Sequence, residues 1–490
     1  MPRPNLLFIF TDEQRADTMA ASGNSRIETP VLDRLADGAT VFESCYVTQA
    51  VCTPSRSSIM TGLWPHTNGC TRNNVPLMTD TQCLAEMLPE GEYACGYHGK
   101  WHLGDEIFRQ HGFDEWMSIE DMYTAHYTEG RDRRARSDYH HSLVERGQTP
   151  SESNYFNRNL CARLPEELGK PAFLAREASR FIRENRERPW ALYVNFLEPH
   201  MPFFGPRDDQ HPTDGITLPG NFDSPPGPDQ PLKTRLLRAA YHERGHSGLA
   251  LKTEAYWRRM IANYWGLCSL VDTHVGTILG TLAECGLDDD TIVVYTSDHG
   301  DMMGSHRLLA KCVQFEEALK VPLIVRLPGQ TAPRRVSGPV SQIDLVPTLL
   351  ELMGVDAPGH LQGESIAPLV RGEASSSERD AFVEWNGPNT GIGSDSAGVP
   401  KLTGEMLKIA TPDEAAASIT DPVRTVIGPE GWKLNASQLG EHELYDLGSD
   451  PLETTNLFGR AEHNLRASEL AARIRAWQER TGDTAEVPEL

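Results

Sequence analysis

Two stretches of the chain are apolar along almost their whole length and end abruptly on charge. Asn5-Leu6-Leu7-Phe8-Ile9-Phe10-Thr11 runs into Asp12-Glu13-Gln14-Arg15, and Thr291-Ile292-Val293-Val294-Tyr295-Thr296-Ser297 runs into Asp298-His299-Gly300-Asp301. Continuous apolar runs of this length, without alternation, are the pattern of strands buried on both faces of a parallel sheet. Trp190 to Phe196 has the same character and leads to Glu198-Pro199-His200-Met201-Pro202. In open α/β sheets ligands gather beyond the carboxyl ends of the strands. The pattern therefore predicts that Asp12, Glu13, Asp298 and His299 meet at the mouth of one site.

Elsewhere the period changes. Ile261, Leu267, Leu270, Val271, Val275, Ile278, Leu279 and Leu282 recur at helical spacing, predicting a covering helix over Glu254 to Cys285. Phe382–Trp385, Thr425–Ile427 and Trp432–Leu434 read as short strands, after a polar linker at Arg371–Asp380. From Pro206 to Thr253 the composition turns to Pro, Gly, Asp and His without periodicity, as expected of disorder or of a long functional loop. We expect the insertion 206–253 and the stretch Gly387–Pro422 to line a substrate pocket. Asn386–Gly398 is glycine-rich, but no strand-to-helix unit frames it as a phosphate cradle. The predicted organisation is a large α/β domain over residues 1–375 and a small C-terminal subdomain over 376–490.

Length and charge sharpen this picture. At 490 residues the chain exceeds what one core supports, so a large and a small unit are expected. A formal charge of −23 argues against nucleic-acid or anionic-membrane partners. It also means that an anionic substrate needs a local cluster of cations. Leu6–Phe10 is too short to span a bilayer and lacks the layout of a secretory signal, so a cytoplasmic location is the expectation. The nine cysteines are scattered without C-x-x-C pairs, which argues against a disulfide framework and a structural zinc site.

The densest chemistry lies in Cys52-Thr53-Pro54-Ser55-Arg56, continuing to Thr61-Gly62. Proline fixes the local backbone, and Arg56 places a permanent planar cation near position 52. In Gly99-Lys100-Trp101-His102-Leu103-Gly104, Lys100 and His102 alternate and would share one face of an extended segment. Asp and His side chains at two strand ends are suitable donors for a divalent cation, though no metal motif of fixed spacing is present.

The string at Cys52 resembles the signature of type I sulfatases, Cys-x-Pro-Ser-Arg followed by Thr-Gly. Gly99–Gly104, Pro199-His200-Met201-Pro202, Asp298-His299 and Lys311 resemble further motifs of that family, in family order. The resemblance implies the alkaline phosphatase fold: a large, mainly parallel sheet flanked by helices, plus a small α+β subdomain with an antiparallel sheet and a closing helix, here Glu469–Arg480. It implies that Cys52 is converted to formylglycine by a formylglycine-generating enzyme. It implies one divalent ion, Ca2+ first, with Mn2+ or Mg2+ as alternatives, bound by Asp12, Asp298, His299 and residue 52. Glu13 joins that set, although many relatives carry Asp or Gln there. Arg56 would orient the nucleophile, and Lys100 and Lys311 would hold the sulfate. His200, protonated, would serve the leaving group, with Lys311 as a second donor, and His102 would accept a proton during breakdown. The implied reaction is hydrolysis of a small anionic ester, an aryl or alkyl sulfate. A phosphonate monoester or phosphodiester hydrolase is the alternative, and a non-catalytic binder of sulfated ligands the second. Relatives lead one to expect a homodimer.

Overall fold

The apolar runs become the centre of a sheet buried on both faces. In the computed structural model, which describes residues 3–388, 392–393 and 399–490, eight strands form it. They are β1 (Asn5–Asp12), β2 (Thr40–Tyr46), β3 (Ala94–Gly99), β4 (Glu115–Ser118), β5 (Trp190–Pro199), β6 (Thr291–Ser297), β7 (Lys320–Arg326) and β8 (Arg334–Ser341). Their order is β4-β3-β5-β1-β6-β7-β2-β8. From β4 to β6 all pairings are parallel, β7 runs against both of its neighbours, and β2 pairs parallel with β8.

Successive residues of β1 enter opposite cores. Leu6, Phe8 and Phe10 point into one, Leu7 and Ile9 into the other. This is why the strand shows no alternation in sequence: both faces need apolar side chains. The helix Glu254–Glu284 serves both cores, with Trp257 and Met260 in the first and Val275, Ile278 and Leu282 in the second. It is long and apolar enough to cross a membrane, but most of its apolar stretch is buried against this protein.

The second sheet is antiparallel, in the order β12-β11-β10-β9, from β9 (Ala381–Trp385), β10 (Val423–Ile427), β11 (Trp432–Ser437) and β12 (Glu443–Asp446). The helix Asn464–Thr481 covers it. Leu470, Ile474 and Trp477 join Phe382, Val426 and Leu434 in a separate core, and the Phe382 and Trp477 rings stack at 5.2 Å. The two sheets are tied by buried charge: Lys433 of β11 reaches Glu316 at 3.1 Å and Glu453 at 2.7 Å, and the Tyr46 hydroxyl donates to Glu316 at 2.8 Å.

The insertion differs from its expected irregularity. Leu232–Arg244 is a helix, with Leu236, Leu237, Ala240 and Tyr241 buried at helical spacing. It packs on the helix Pro412–Thr420 of the subdomain, where the Lys233 amide donates to Ser418 at 2.8 Å. Flanking Pro and Gly residues diluted a short amphipathic pattern. Of the stretches 386–398 and 387–422, residues 389–391 and 394–398 lie outside the described residues.

Candidate active site

Four adjacent parallel strands, β3, β5, β1 and β6, deliver their carboxyl ends to one edge. β1 ends on Asp12 and Glu13, β6 is followed by Asp298 and His299, β3 by Lys100, and β5 by His200. The nucleophile candidate reaches the same edge from a helix. Cys52–Thr61 follows β2 and is buried along its whole length, with Cys52 as its first residue. At a helix N-terminus the exposed backbone amides favour negative charge on whatever stands at position 52. Gly62 ends this helix at φ +68, and a Cβ there would sit 3.1 Å from Leu361 and Val346. At the end of β3, a Cβ on Gly99 would lie 2.0 Å from the Asn195 carbonyl, so only glycine lets Lys100 turn into the site.

Arg56 organises the centre. Its Nε donates to Asp298 Oδ2 at 2.9 Å, and Nη2 to Asp12 Oδ2 at 2.8 Å. Nη1 donates to the Lys100 carbonyl and to Asn195 Oδ1, both at 2.7 Å. Lys100 Nζ also donates to Asp12 Oδ2. Asp12 Oδ2 and Asp298 Oδ2 are thereby held from behind; Asp12 Oδ1 faces Cys52 Sγ at 3.7 Å, and Asp298 Oδ1 accepts from the Glu13 and His299 amides at 3.0 and 2.8 Å. His299 Nε2 lies 3.2 Å from Cys52 Sγ, 3.6 Å from Asp298 Oδ1 and 3.8 Å from Asp12 Oδ1. Its Nδ1 bonds the Gly300 carbonyl at 2.9 Å, which turns Nε2 toward the carboxylates.

One ligand atom from each of Asp12, Cys52, Asp298 and His299 falls within 4.8 Å of the others, and all four residues are buried. Two carboxylates, an imidazole and a fourth donor suit a hard or borderline divalent cation. The electrostatics agree with that fit. Burial alone would keep His299 neutral, yet Asp298 and Cys52 push its pKa up to about 9, against Lys311. The spot therefore favours a positive charge. Asp12 shows the complementary response: burial raises its pKa, but Lys100, His200, Arg56 and Lys311 hold it well below the usual range.

Glu13 stands slightly apart. Its Oε1 accepts from Lys311 at 3.0 Å, while Oε2 is buried without a hydrogen-bond partner, 3.5 Å from His200 Nε2. It groups with Asp12 and His200 rather than with Asp298 and His299. Burial pushes its carboxyl up to about 8 despite Lys311. At position 52, burial and Asp12 would raise the thiol, but Lys100, Lys311 and His299 together bring it below its usual value. The same cations would favour any anionic nucleophile there.

The two further histidines are held neutral. Burial, Lys100 and Arg56 keep His102 well below the ordinary imidazole value. Its Nε2 lies 3.0 Å from Asn74 Oδ1, and Nδ1 is buried with no partner. The expected extended segment is not observed: β3 stops at Gly99 and His102 has φ +59, so a turn carries the ring in, while Trp101 packs into an aromatic cluster. Burial and Lys311 also hold His200 well below its usual value, against Asp12. Arg158, 3.3 Å from its Nδ1, adds positive charge beside it.

Several site residues carried little signal in the sequence. Asn195 braces Arg56 and bonds the Phe10 carbonyl at 3.0 Å; its only mark was a polar side chain inside an apolar run. Arg158 reaches His200 Nδ1 at 3.3 Å and the Tyr123 hydroxyl at 2.8 Å, and Tyr123 lies 4.3 Å over the His102 ring. Asn74 and Tyr123 lie in loops without periodicity, and nothing in their sequence placed them here.

The sulfatase family profile matches residues 4–355. An ulvan-active sulfatase from Formosa agariphila is 25% identical, aligned over 98% of this chain and 82% of its own. An N-acetylglucosamine-6-O-sulfatase from Bacteroides thetaiotaomicron is 26% identical, over 98% and 87%. Among solved structures, the phosphonate monoester hydrolase of Agrobacterium radiobacter superposes with a TM-score of 0.76 at 24% identity, covering 98% of this chain and 96% of that one. The large sheet, the small antiparallel sheet and this edge of converging charge belong together: the chain is a member of the sulfatase family, the hydrolases of sulfuric esters.

Proposed function

We propose that this protein hydrolyses a sulfate monoester with residue 52 as formylglycine and a divalent ion held by Asp12, Asp298 and His299. The observation that carries the reading is the convergence of Asp12, Cys52, Asp298 and His299 within 4.8 Å, ringed by Arg56, Lys100 and Lys311. Hydrated formylglycine supplies two hydroxyls on one carbon, one to attack sulfur and one to expel sulfate afterwards without water attacking sulfur. The bound ion supplies Lewis-acid stabilisation of negative oxygen, and Ca2+ is the ion we propose, given the carboxylate-rich set.

The chain's own residues do the rest. Lys100 and Lys311 stay protonated in the buried site, because negative charge at position 52 and on Asp12 outweighs their burial, and they offer fixed donors to the nonbridging oxygens. Arg56 fixes the two aspartates and, through them, the position of residue 52. His102, neutral and with a free Nδ1, is placed to take a proton. His200 is neutral until the substrate's negative charge offsets Lys311 and Arg158; then it can share a proton with the leaving oxygen. Cys52 is only 2% exposed, so a maturation enzyme must reach it before the helix Cys52–Thr61 is packed. We infer a cytoplasmic enzyme that acts on a small anionic ester.

The superposition on a phosphonate monoester hydrolase keeps a second reading open, in which the same oxyanion receptor takes a phosphonate monoester or phosphodiester. Mass spectrometry of the Cys52 peptide, combined with kcat/KM for p-nitrophenyl sulfate, phenyl phosphonate and bis-p-nitrophenyl phosphate, decides between them. We expect formylglycine at residue 52 and sulfate as the preferred ester. An unmodified thiol in fully active protein would overturn the mechanism, and a phosphorus ester preferred over sulfate would favour the second reading.

A further inference from the structure

A second group of metal-type donors lies outside the active site. Cys83, Glu86 and His111 bring one ligand atom each to within 4.8 Å of one another. Cys83 and Glu86 have a local reason to be close. They form a reciprocal cap at the start of the short helix Leu84–Met87, with the Cys83 amide donating to Glu86 Oε2 at 2.9 Å. That cap explains two members of the group and leaves the third unexplained.

His111 is the anomaly. Its side chain is 1% exposed, and neither ring nitrogen makes a hydrogen bond. A buried imidazole without partners is costly, and the great majority of buried polar groups avoid that state. The backbone reaches this position at some expense: His111 has φ +51 and Gly112 φ +76, and a Cβ on Gly112 would lie 2.6 Å from Glu86. Two successive left-handed residues thus press the loop against the Cys83–Met87 turn and aim the ring at it.

The nitrogen–oxygen separation matches a tetrahedral ion. His111 Nδ1 lies 3.4 Å from Glu86 Oε2, without hydrogen-bond alignment. Bonds of roughly 2.0–2.1 Å to nitrogen and oxygen at a tetrahedral angle put those two atoms about 3.3 Å apart. Sulfur, imidazole and carboxylate together form a borderline donor set that suits Zn2+ better than Ca2+ or Mg2+. Glu86 is partly exposed, its side chain 28% accessible, which leaves a fourth position open to water.

We propose that Cys83, Glu86 and His111 bind one Zn2+ ion, separate from the catalytic ion, as a clip on the floor of the active site. The absence of C-x-x-C pairs does not bear against it, because the set uses one cysteine in a Cys-x-x-Glu turn and a histidine from a later loop. The clip has a mechanical consequence. His111 packs against Trp101, with ring centroids 5.7 Å apart, and Trp101 lies between Lys100 and His102. An ion at Cys83 would pin the loop that holds both catalytic candidates.

Co2+ titration of full-length protein tests this, because a thiolate ligand gives Co2+ a charge-transfer band in the near ultraviolet. The background is Cys52→Ala, so that the catalytic site has no thiol to offer. We expect one band-forming equivalent of Co2+, bleached by added Zn2+, with a higher melting temperature in Zn2+ than in chelator. The band should survive Cys70→Ser, disappear with Cys83→Ser, and need at least ~10-fold more Co2+ with His111→Gln, since even outer-shell partners are worth that much affinity. No band in the cooperatively folded Cys52→Ala protein overturns the proposal without any further variant. A band that persists unchanged in Cys52→Ala/Cys83→Ser or in Cys52→Ala/His111→Gln overturns it as well.

Discussion

Two of the buried clusters of charge are built to opposite ends. At the junction of the sheets, Lys433 meets Glu316 and Glu453, and the Tyr46 hydroxyl and the Glu316 amide complete the set. The charges there converge on one another. At the edge of the large sheet, Arg56 and Lys100 hold Asp12 and Asp298 from behind, and one donor atom from each of Asp12, Cys52, Asp298 and His299 gathers within 4.8 Å of the others instead. Beside them the Glu13 and Asp301 carboxyls act on each other, and His102 Nδ1 is buried without a partner. Leaving a buried polar group unpaired costs roughly 1–3 kcal/mol. Burial and charge do not distinguish a catalytic cluster from a structural one; the direction in which lone pairs are left open does.

The largest expected effect lies at position 52. Cys52→Ala should lower kcat by on the order of 10⁴-fold or more, the scale seen when a nucleophile acting in concert with its partners is removed. Cys52→Ser should release one equivalent of leaving group and then stall, since one hydroxyl cannot expel sulfate as the hydrate does. Burst kinetics with a chromogenic sulfate ester reads both. Sustained wild-type turnover by Cys52→Ser at equal metal content would remove position 52 from the chemistry and erase the contrast between the clusters.

Lys433→Met should do the reverse. It removes the cation shared by Glu316 and Glu453, leaving Glu316 with Lys320 at 3.8 Å, and breaking a buried ion pair from one side costs about 3–5 kcal/mol. Urea denaturation should show that loss, while kcat per folded molecule stays near wild type. A variant equally stable but inactive would mean that the junction cluster belongs to the catalytic machinery after all.

How much of this was legible follows from the same contrast. Asp12, Asp298 and His299 could be read because each directly follows an apolar strand, and parallel topology forces those ends together. Cys52 and Arg56 could be read because their chemistry lies within five successive residues. The junction cluster could not: Tyr46, Glu316, Lys433 and Glu453 come from four separate segments, and each looks like an ordinary polar residue in its own surroundings. Asn74, Tyr123 and Arg158 were hidden for the same reason, since loops carry no period. The helix Leu232–Arg244 was missed because its apolar i, i+4 pairs are short and lie between Pro- and Gly-rich flanks.

The smallest effect concerns pH and tests the junction from its other side. Burial, with Glu316 and Glu317 nearby, pushes Glu453 up to about 8 from the ordinary 4.5, although Lys433 pulls it down. Between those two values the folded chain keeps a proton that the unfolded chain has released. Stability from this group is therefore fully present below pH 4.5 and falls as pH rises toward 8, the opposite of an acid held low by a salt bridge. Glu453→Gln, neutral at every pH, should flatten that slope by about 1 kcal/mol per pH unit, measured as urea midpoints at pH 6, 7 and 8. The active site should not respond in step, because Glu453 touches none of its residues. If Glu453→Gln left the slope of stability unchanged, Lys433 would be neutralising both carboxylates outright, and the two clusters would differ in orientation but not in charge balance.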